Sequence, residues 1–454
     1  MRLGVVILAA GQGTRMRSTL PKVLHPLLGR PMVLYAVETA RALIDVPPVL
    51  VIGHEGEAVR QTVGKDATYV EQQEQLGTGH AVLQAQPALA GEVEEVTIVY
   101  ADMPLLTADT LRRVAEVRRE QGAPLAILTV LADDPRGFGR VVRGEDGAVA
   151  RIVEEAEATD AERAIQELNA GVYAFEGEWL WKHLPALELR SKEEYYLTDL
   201  VEMAAEEGRP AASVTTDDPA EVLGINTRVH LAEAGAALRR RINRRWMEAG
   251  VTMVDPATTY IESGVTIGRD TVIWPNAHLR GETVIGARCE IGPNSVIEDS
   301  TIGDGCRVLA SFVEEAVMED GSDVGPFSHL RSGAHLKAGA HVGNFGEVKK
   351  SILGPEAKMG HFSYVGDAEI GAGANIGAGT VTCNFDGERK HRTVVGERAF
   401  IGSDSMLVAP VRVGKGARVG AGSVVTRDVP DGALAYGVPA RVREEKEEPQ
   451  GEGL

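Results

Sequence analysis

A short apolar run from Val5 to Leu8 opens into Ala9-Ala10-Gly11-Gln12-Gly13-Thr14-Arg15, and Lys22 follows shortly after. Glycines let backbone N–H groups approach an anion without a Cβ in the way, and a helix after such a turn would add its positive end. Two cations, Arg15 and Lys22, beside that nest suit a triphosphate. The spacing is not Walker A, because no Gly-Lys-Ser/Thr closes the loop, and it is not the dinucleotide fingerprint, because Met16 stands where the third glycine belongs. A second apolar run ends in Tyr100-Ala101-Asp102, just before Pro104. A carboxylate at a strand end beside a triphosphate loop suits Mg²⁺, which takes oxygen ligands and few carboxylates. The same Asp could cap a turn, and Asn226 could cap a helix. Far downstream stands His361, in Gly360-His361-Phe362-Ser363-Tyr364. An imidazole titrating near neutral pH can take the proton of an amine.

These groups need elements to hold them, and the chain supplies two kinds. From residue 1 to about 226, short apolar strands alternate with helical segments. The strands are expected at Leu3–Leu8, Pro48–Gly53, Val96–Tyr100, Leu125–Val130, Gly171–Phe175 and Ala212–Val214. The helices are expected at Pro31–Leu43, Gly77–Ala85, Asp109–Gln121 and Thr198–Glu207. This is the pattern of a Rossmann-like α/β domain with a mostly parallel sheet, whose ligand lies at the carboxyl ends of the strands. Residues 227–249 read as a long helix with Leu231, Leu238, Ile242 and Trp246 near one face and Gly250 as its stop. Its cluster of Arg239, Arg240, Arg241, Arg244 and Arg245 suits a solvated or subunit-facing surface.

From about residue 250 the aliphatic residues acquire a period of six. Ile261, Ile267, Ile273, Leu279, Ile285, Ile291 and Ile297 recur without a slip, and the run resumes at Val324, Leu330, Leu336, Val342 and Val348. It continues through Ile370 and Ile376, then from Val395 to Val425. A helix would show a period near 3.6 and an ordinary strand a period of two. Six residues make one flat side, three sides close a coil, and stacked coils share one core. The result is a parallel β-helix of roughly ten coils. Its period breaks around Lys349–Val365 and Cys383–Val394, where a solenoid places function on projecting insertions. The Glu- and Lys-rich tail after Arg443 should be loosely ordered.

Composition narrows the class. The chain has 454 residues, 44% of them hydrophobic and 25% charged, as in a globular protein of two or three domains. No apolar stretch is long enough to span a membrane, and the start lacks the build of a signal peptide. Three cysteines without CxxC spacing suit a reducing cytoplasm. A net charge of −19 argues against nonspecific nucleic-acid or anionic-membrane binding, so local cations must meet any anionic substrate.

The opening motif with its downstream Pro21-Lys22 resembles the sugar nucleotidylyltransferases. The resemblance extends through Gln72, Leu76-Gly77-Thr78-Gly79, Asp102, Gly137-Phe138-Gly139-Arg140, Glu154, Leu168-Asn169-Ala170-Gly171 and Asn226. There the match is to the bacterial bifunctional enzymes that make UDP-N-acetylglucosamine for the cell envelope. It implies that Leu8, Ala9, Ala10, Gly11, Gln72, Gly77 and Thr78 surround the uracil and ribose of UTP, with Lys22, Tyr100 and Ala101 among the nucleotide contacts. Gly139, Glu154 and Asn169 would hold N-acetylglucosamine, and Asp102 and Asn226 would ligate Mg²⁺. Arg15 and Lys22 would neutralise charge as N-acetylglucosamine 1-phosphate attacks the α-phosphorus. The second half resembles the acetyltransferase domain of the same enzymes, a hexapeptide acyltransferase that winds left-handed and assembles as a homotrimer. By that resemblance Arg331 and Lys349 bind the phosphate of glucosamine 1-phosphate, Tyr364 and Asn375 its ring, and His361 is the general base. Ala378, Asn384, Phe385, Ser403 and Ala421 would line the acetyl-CoA site, with Asn384 or Ser403 polarising the thioester carbonyl. Two positions depart from the family: Phe385 replaces a Tyr, and Val438 replaces an Arg that meets CoA phosphates. Arg441, Arg443 or the basic loop through Arg392 could take up that role. Two other readings are a nucleotidylyltransferase with a purely structural β-helix, and a regulatory binding subunit. His361, Lys349 and Asn384 weigh against the first; Arg15, Lys22 and Asp102 weigh against the second.

Overall fold

The structure, a computed structural model, describes residues 2–53, 56–190 and 193–443. The acidic tail after Arg443 lies outside the described residues. Contacts divide the chain into two compact units, Met1–Leu238 and Arg239–Leu454. Among the described residues no helix is long and apolar enough to cross a membrane.

The first unit is built on a sheet of β1 (Leu3–Leu8), β2 (Val49–Ile52), β3 (Thr68–Glu71), β4 (Glu95–Tyr100), β5 (Leu125–Leu131), β6 (Arg140–Arg143), β7 (Val149–Val153), β8 (Glu167–Glu176) and β9 (Ala212–Thr215). The main path runs β9-β5-β8-β4-β1-β2-β3, and the β6–β7 hairpin hangs from β8. Pairs along the path are parallel except those of β8, which is antiparallel to β4 and β5. Strand β1 shows why its residues are apolar without alternation. Val5 and Ile7 enter one core with Val33, Ala36 and Val37 of α1 (Met32–Arg41), while Val6 and Leu8 enter another with Ala81 and Val82 of α2 (Thr78–Leu83). Helices cover both faces, so both faces of the strand must be apolar. At the base of β4, the fully buried Glu95 is paired with Arg118 and Arg119 of α3 (Ala108–Gln121), which satisfies an otherwise costly buried carboxylate.

The chain leaves β1 for β2 and β3 on one side and returns to β4 on the other. Leu8 and Tyr100 are register partners, so the loops that follow β1 and β4 start side by side at a topological switch point. One expectation fails here. The glycine loop does not feed an α-helix: Thr14–Met16 and Lys22–Leu24 form single 3-10 turns, and α1 begins only at Met32. Arg17 has a φ of 49°, and the cap's N–H closes back on Thr14, which ends the first turn at once.

Helix α4 (Asp199–Glu206) lies against β7, and α5 spans Arg228–Glu248. In the first unit, Ala234 and Ala237 of α5 pack with Leu27, Met32, Leu105 and Ile225. In the second unit, Asn243 Nδ2 donates to the Pro256 and Thr259 carbonyls, and Arg239 lies 4.7 Å over the Tyr260 ring. Arg240, Arg244 and Arg245 are exposed.

The second unit is a three-sided parallel β-helix. One face contains ten strands, each one coil above the last, with Ile261, Leu279, Ile297, Val313, Leu330, Val348 and Val365 as successive inward partners. The stretch between Ile297 and Val324 that breaks the six-period keeps the coil, because Ile297 still pairs with Val313 although the sides from Ile297 to Ile302 and from Val308 to Val313 are each one residue short. The two breaks singled out from the sequence differ in kind. Around Lys349–Val365 the coil closes normally, Val348 against Val365, so nothing projects there. Around Cys383–Val394 a true insertion occurs. Ala368 pairs with Thr393, and the loop between Asn384 and Arg392 stands out with a bridge from Phe385 to Lys390.

The turns stack as tightly as the faces. A Cβ on Gly343 would sit 1.9 Å from the Gly360 carbonyl oxygen of the next coil, and real Cβ atoms do not approach backbone so closely. Gly343→Ala should therefore lower the stability of the β-helix by roughly 2 kcal/mol or more, read as an earlier denaturant midpoint.

Candidate active sites

The carboxyl ends of β1 and β4 open onto a cavity of about 480 Å³. Its wall includes Leu8, Ala9, Ala10, Gly11, Lys22, Gln72, Gly77, Thr78, Tyr100, Asp102, Gly139, Glu154, Asn169 and Asn226. The loop geometry explains Lys22. Gly13 has a φ of 63°, and a Cβ there would fall 2.4 Å from Lys22 Cβ, so the second glycine lets the lysine stem pass. Around Gly11, by contrast, there is open space. The Lys22 ammonium donates to the Asp102 carboxylate and, at 3.1 Å, to Asn226 Oδ1. Asp102 is held in turn by its backbone, whose carbonyl accepts from Ile225 N at 2.9 Å and so ties the two oxygen donors together.

Across the cavity, β8 bulges between Asn169 and Tyr173. Gly171 sits in the bulge with a φ of 77°, and a Cβ there would strike the Tyr100 ring at 2.9 Å. The bulge aims Asn169 inward, where Nδ2 donates to Tyr173 Oη at 2.7 Å. Burial holds the Tyr100 phenol far above its usual pKa, with Glu154 and Asp102 adding to the effect, so it remains a neutral donor. Gly77, with a φ of 96°, lies so close to Tyr195 that a Cβ would meet its carbonyl oxygen at 2.6 Å. Thr78 Oγ1 accepts from Leu197 N at 3.0 Å, and Thr198 Oγ1 donates to Glu154 at 3.0 Å.

A second constellation lies on the β-helix. Arg331, Lys349 and Gly366 are consecutive positions of one ladder, and Glu347 and Tyr364 are register partners beside it. Arg331 pairs with Glu347 at 2.8 Å. Tyr364 Oη occupies the space that a Cβ on Gly366 would take. Asn384, buried at the root of the insertion, donates from Nδ2 to Asp367 at 2.6 Å and approaches Tyr364 Oη at 3.5 Å. The insertion is tied by Asp386, which accepts from Arg389 N, Glu388 N and the His391 ring and is thereby held well below the usual carboxylate range.

His361 lies exposed on the corner that precedes this face. Met359, Ile376, Ile401 and Val419 are register partners, so His361, Ala378, Ser403 and Ala421 repeat at one corner of successive coils. Asp404 N bonds to Ala378 O at 2.6 Å and Gly422 N to Ser403 O at 2.8 Å, which locks the row. Ala378, Ser403 and Ala421 carry small side chains, and the last two are exposed like His361.

Comparison with known proteins follows the same division. A MobA-like NTP transferase domain profile matches residues 5–172, and the bacterial transferase hexapeptide (six repeats) profile matches residues 264–299 and 392–427. The chain is similar over nearly its whole length to proteins named bifunctional protein GlmU. That of Heliobacterium modesticaldum is 47% identical over 95% of this chain and 94% of its own. That of Exiguobacterium sp. is 48% identical over 98% of each, and that of Pelobacter propionicus 47% over 98% and 97%. The chain belongs to the GlmU family.

Several residues singled out from the sequence stand apart in this GlmU-family chain. Ala101 is fully buried behind the cavity wall, because its N–H pairs with Leu8 O at 3.0 Å. Arg15 sits exposed on its 3-10 turn, away from the cavity lining. Asn375 belongs to a different face of the β-helix from Arg331, Lys349 and Tyr364, with Lys358 and Phe400 as neighbours. Phe385 is 58% exposed at the insertion and Val438 73% exposed near the end. Arg441 lies opposite Tyr436, and Arg443 lies 5.6 Å over the Tyr436 ring. The cavity also recruits Gln75, Tyr196 and Thr198, which no local motif marked. Only the glycines at 77 and 79 hinted that another segment must press against them.

Proposed function

We propose that residues 1–226 carry uridylyl transfer, residues 250–454 carry acetyl transfer, and residues 227–249 join them. The chain is a bifunctional transferase of UDP-N-acetylglucosamine synthesis, with acetyltransferase and uridylyltransferase activities. In this reading glucosamine 1-phosphate is acetylated from acetyl-CoA first, and the product is then joined to UTP with release of pyrophosphate. The observation that carries the first site is one cavity wall shared by Lys22, Asp102, Gln72, Glu154, Asn169 and Asn226, which come from six separate segments.

For uridylyl transfer the phosphate oxygen of N-acetylglucosamine 1-phosphate attacks the α-phosphorus, and the bond to pyrophosphate breaks. No protein nucleophile is needed, so the work is alignment and charge neutralisation. Glu154, anchored by Thr198, and Asn169, anchored by the β8 bulge, hold the sugar; Gln72 and Thr78 hold the nucleoside. Asp102 and Asn226 fit a Mg²⁺ ion: each turns an oxygen to the same point, where the Lys22 ammonium already donates to both. Among the described residues no group of three or more His, Cys, Asp or Glu could hold a metal unaided, so phosphate oxygens and water would complete its shell. When bound, the ion supplies charge neutralisation between the two phosphates.

For acetyl transfer the amine of glucosamine 1-phosphate attacks the thioester carbonyl, the thiolate leaves, and the amine proton passes to His361. Lys349 and Arg331 meet the phosphate, and Tyr364 meets the ring. The Ala378–Ser403–Ala421 row takes the acetyl-CoA arm, with Asn384 or Ser403 polarising the carbonyl. The placement of Asn375 on another face supports a homotrimer in which a second copy completes the sugar site. Free Cys289, Cys306 and Cys383 are in keeping with the cytoplasm.

Separate assays of thiol and pyrophosphate release test the division. Asp102→Ala should cut pyrophosphate release from UTP at least about 100-fold while acetyl transfer persists. His361→Ala should cut thiol release by roughly 10²–10⁴-fold while N-acetylglucosamine 1-phosphate is still uridylylated. Loss of both activities in either folded variant would contradict two independent sites.

A further inference from the structure

Asn384 is 7% exposed at the root of the insertion. Its Nδ2 donates to Asp367 Oδ2 at 2.6 Å and reaches Tyr364 Oη at 3.5 Å. A tyrosine hydroxyl can donate or accept, so that contact leaves the two ends of the amide interchangeable. A carboxylate can only accept, so Asp367 decides which end carries the NH₂. Gly366 gives that end its room, since a Cβ there would lie 2.8 Å from Asn384 Nδ2. Asp367 is itself held by its backbone. Its N–H donates to Lys349 O at 3.1 Å, and its carbonyl accepts from Thr393 N at 3.2 Å. What Asn384 has left to offer is Oδ1, which accepts from no group among the described residues and is not sealed from solvent.

We propose that Asp367 is a positioning residue for acetyl transfer: its carboxylate fixes the Asn384 amide so that this side chain accepts from the amino sugar and does not donate to the thioester. A thioester carbonyl has lone pairs and no hydrogen, so an amide that presents Oδ1 cannot polarise it. The amino sugar carries N–H and O–H groups and is the substrate that such an acceptor can hold. Polarising the thioester then falls to Ser403, whose hydroxyl has a proton to give. A hydrogen bond to an ionised acceptor is stronger than one between neutral groups, which is why the carboxylate can hold the amide one way round. Without it the amide could turn over, and the sugar donor would lose its partner. The inference rests on the reading that Asn384 faces the substrates of acetyl transfer.

The test is thiol release from acetyl-CoA by the full chain, read as kcat/KM for glucosamine 1-phosphate, with thermal melting of each variant alongside. Asp367→Asn keeps a tie to Asn384 but lets the amide turn over. It should lower kcat/KM about fivefold or more, with melting unchanged. Combining Asp367→Asn with Asn384→Asp exchanges the two groups. The donor then stands at 367, and position 384 can only accept, so most of the loss should be recovered. Asn384→Leu should lower kcat/KM further than Asp367→Asn does. Full activity in Asp367→Asn would reduce Asp367 to a structural tie and overturn the positioning role. An exchanged pair as poor as Asn384→Leu would show that position 384 must donate, which overturns the assigned polarity. Full activity in Asn384→Leu would remove Asn384 from the site, a failure of the underlying reading. Asn384→Ala replaces Asn384→Leu if melting shows that variant unfolded, with the same outcomes.

Discussion

The Lys22 ammonium lies between the Asp102 carboxylate and the Asn226 carboxamide oxygen, and those two oxygens come from parts of the chain more than a hundred residues apart. The contact requires that β1 and β4 end side by side, that Gly13 lack a side chain, and that the segment before α5 return to β4 through the Ile225–Asp102 backbone bond. Much of the first unit can be understood as scaffolding for it. A buried carboxylate without a cation would be costly, and a buried ammonium equally so. Together they form a neutral, oxygen-rich corner where phosphate charge can be received.

The second unit solves positioning by a different route. In the first, residues distant in sequence converge because a sheet reverses direction. In the second, residues one coil apart align because the repeat brings the chain back to the same place. His361 and Ser403 share a corner by periodicity alone, once the insertion between Asn384 and Arg392 is left out of the count. The inward aliphatic residues build the core, and the outward positions are left free to carry charge. Arg331 above Glu314 and below Lys349 is such a column.

What could be read from the residues beforehand follows this contrast. The β-helix was legible because every coil repeats the same packing problem, so Ile261 and Val425 advertise the same geometry. The ends of β1 and β4 were legible because uninterrupted apolar runs imply burial on both faces. The single 3-10 turn after Gly13 was not, because a glycine loop followed by Thr-Arg-Met carries no local sign of where its helix fails. Thr198 and Gln75 were equally silent; their roles arise from tertiary packing against Glu154 and Ala10, which no spacing encodes. The β6–β7 hairpin escaped for a related reason, since Arg140–Arg143 has only two apolar residues, Val141 and Val142, between arginines, and draws its register from β8. Placement of Asn375 exposed a limit of motif transfer: family likeness can name a residue without saying whose surface it shares.

The insertion between Asn384 and Arg392 has a consequence of its own. Each coil of a solenoid touches only the coils above and below, so an extra loop at one turn alters no other register. Val381 still pairs with Met406, and Val395 with Val413, as though the added residues were absent. A part of the molecule rooted beside Tyr364 and Asp367 can therefore change length and composition without disturbing the core. It is a place where inheritance can experiment while the architecture stays constant.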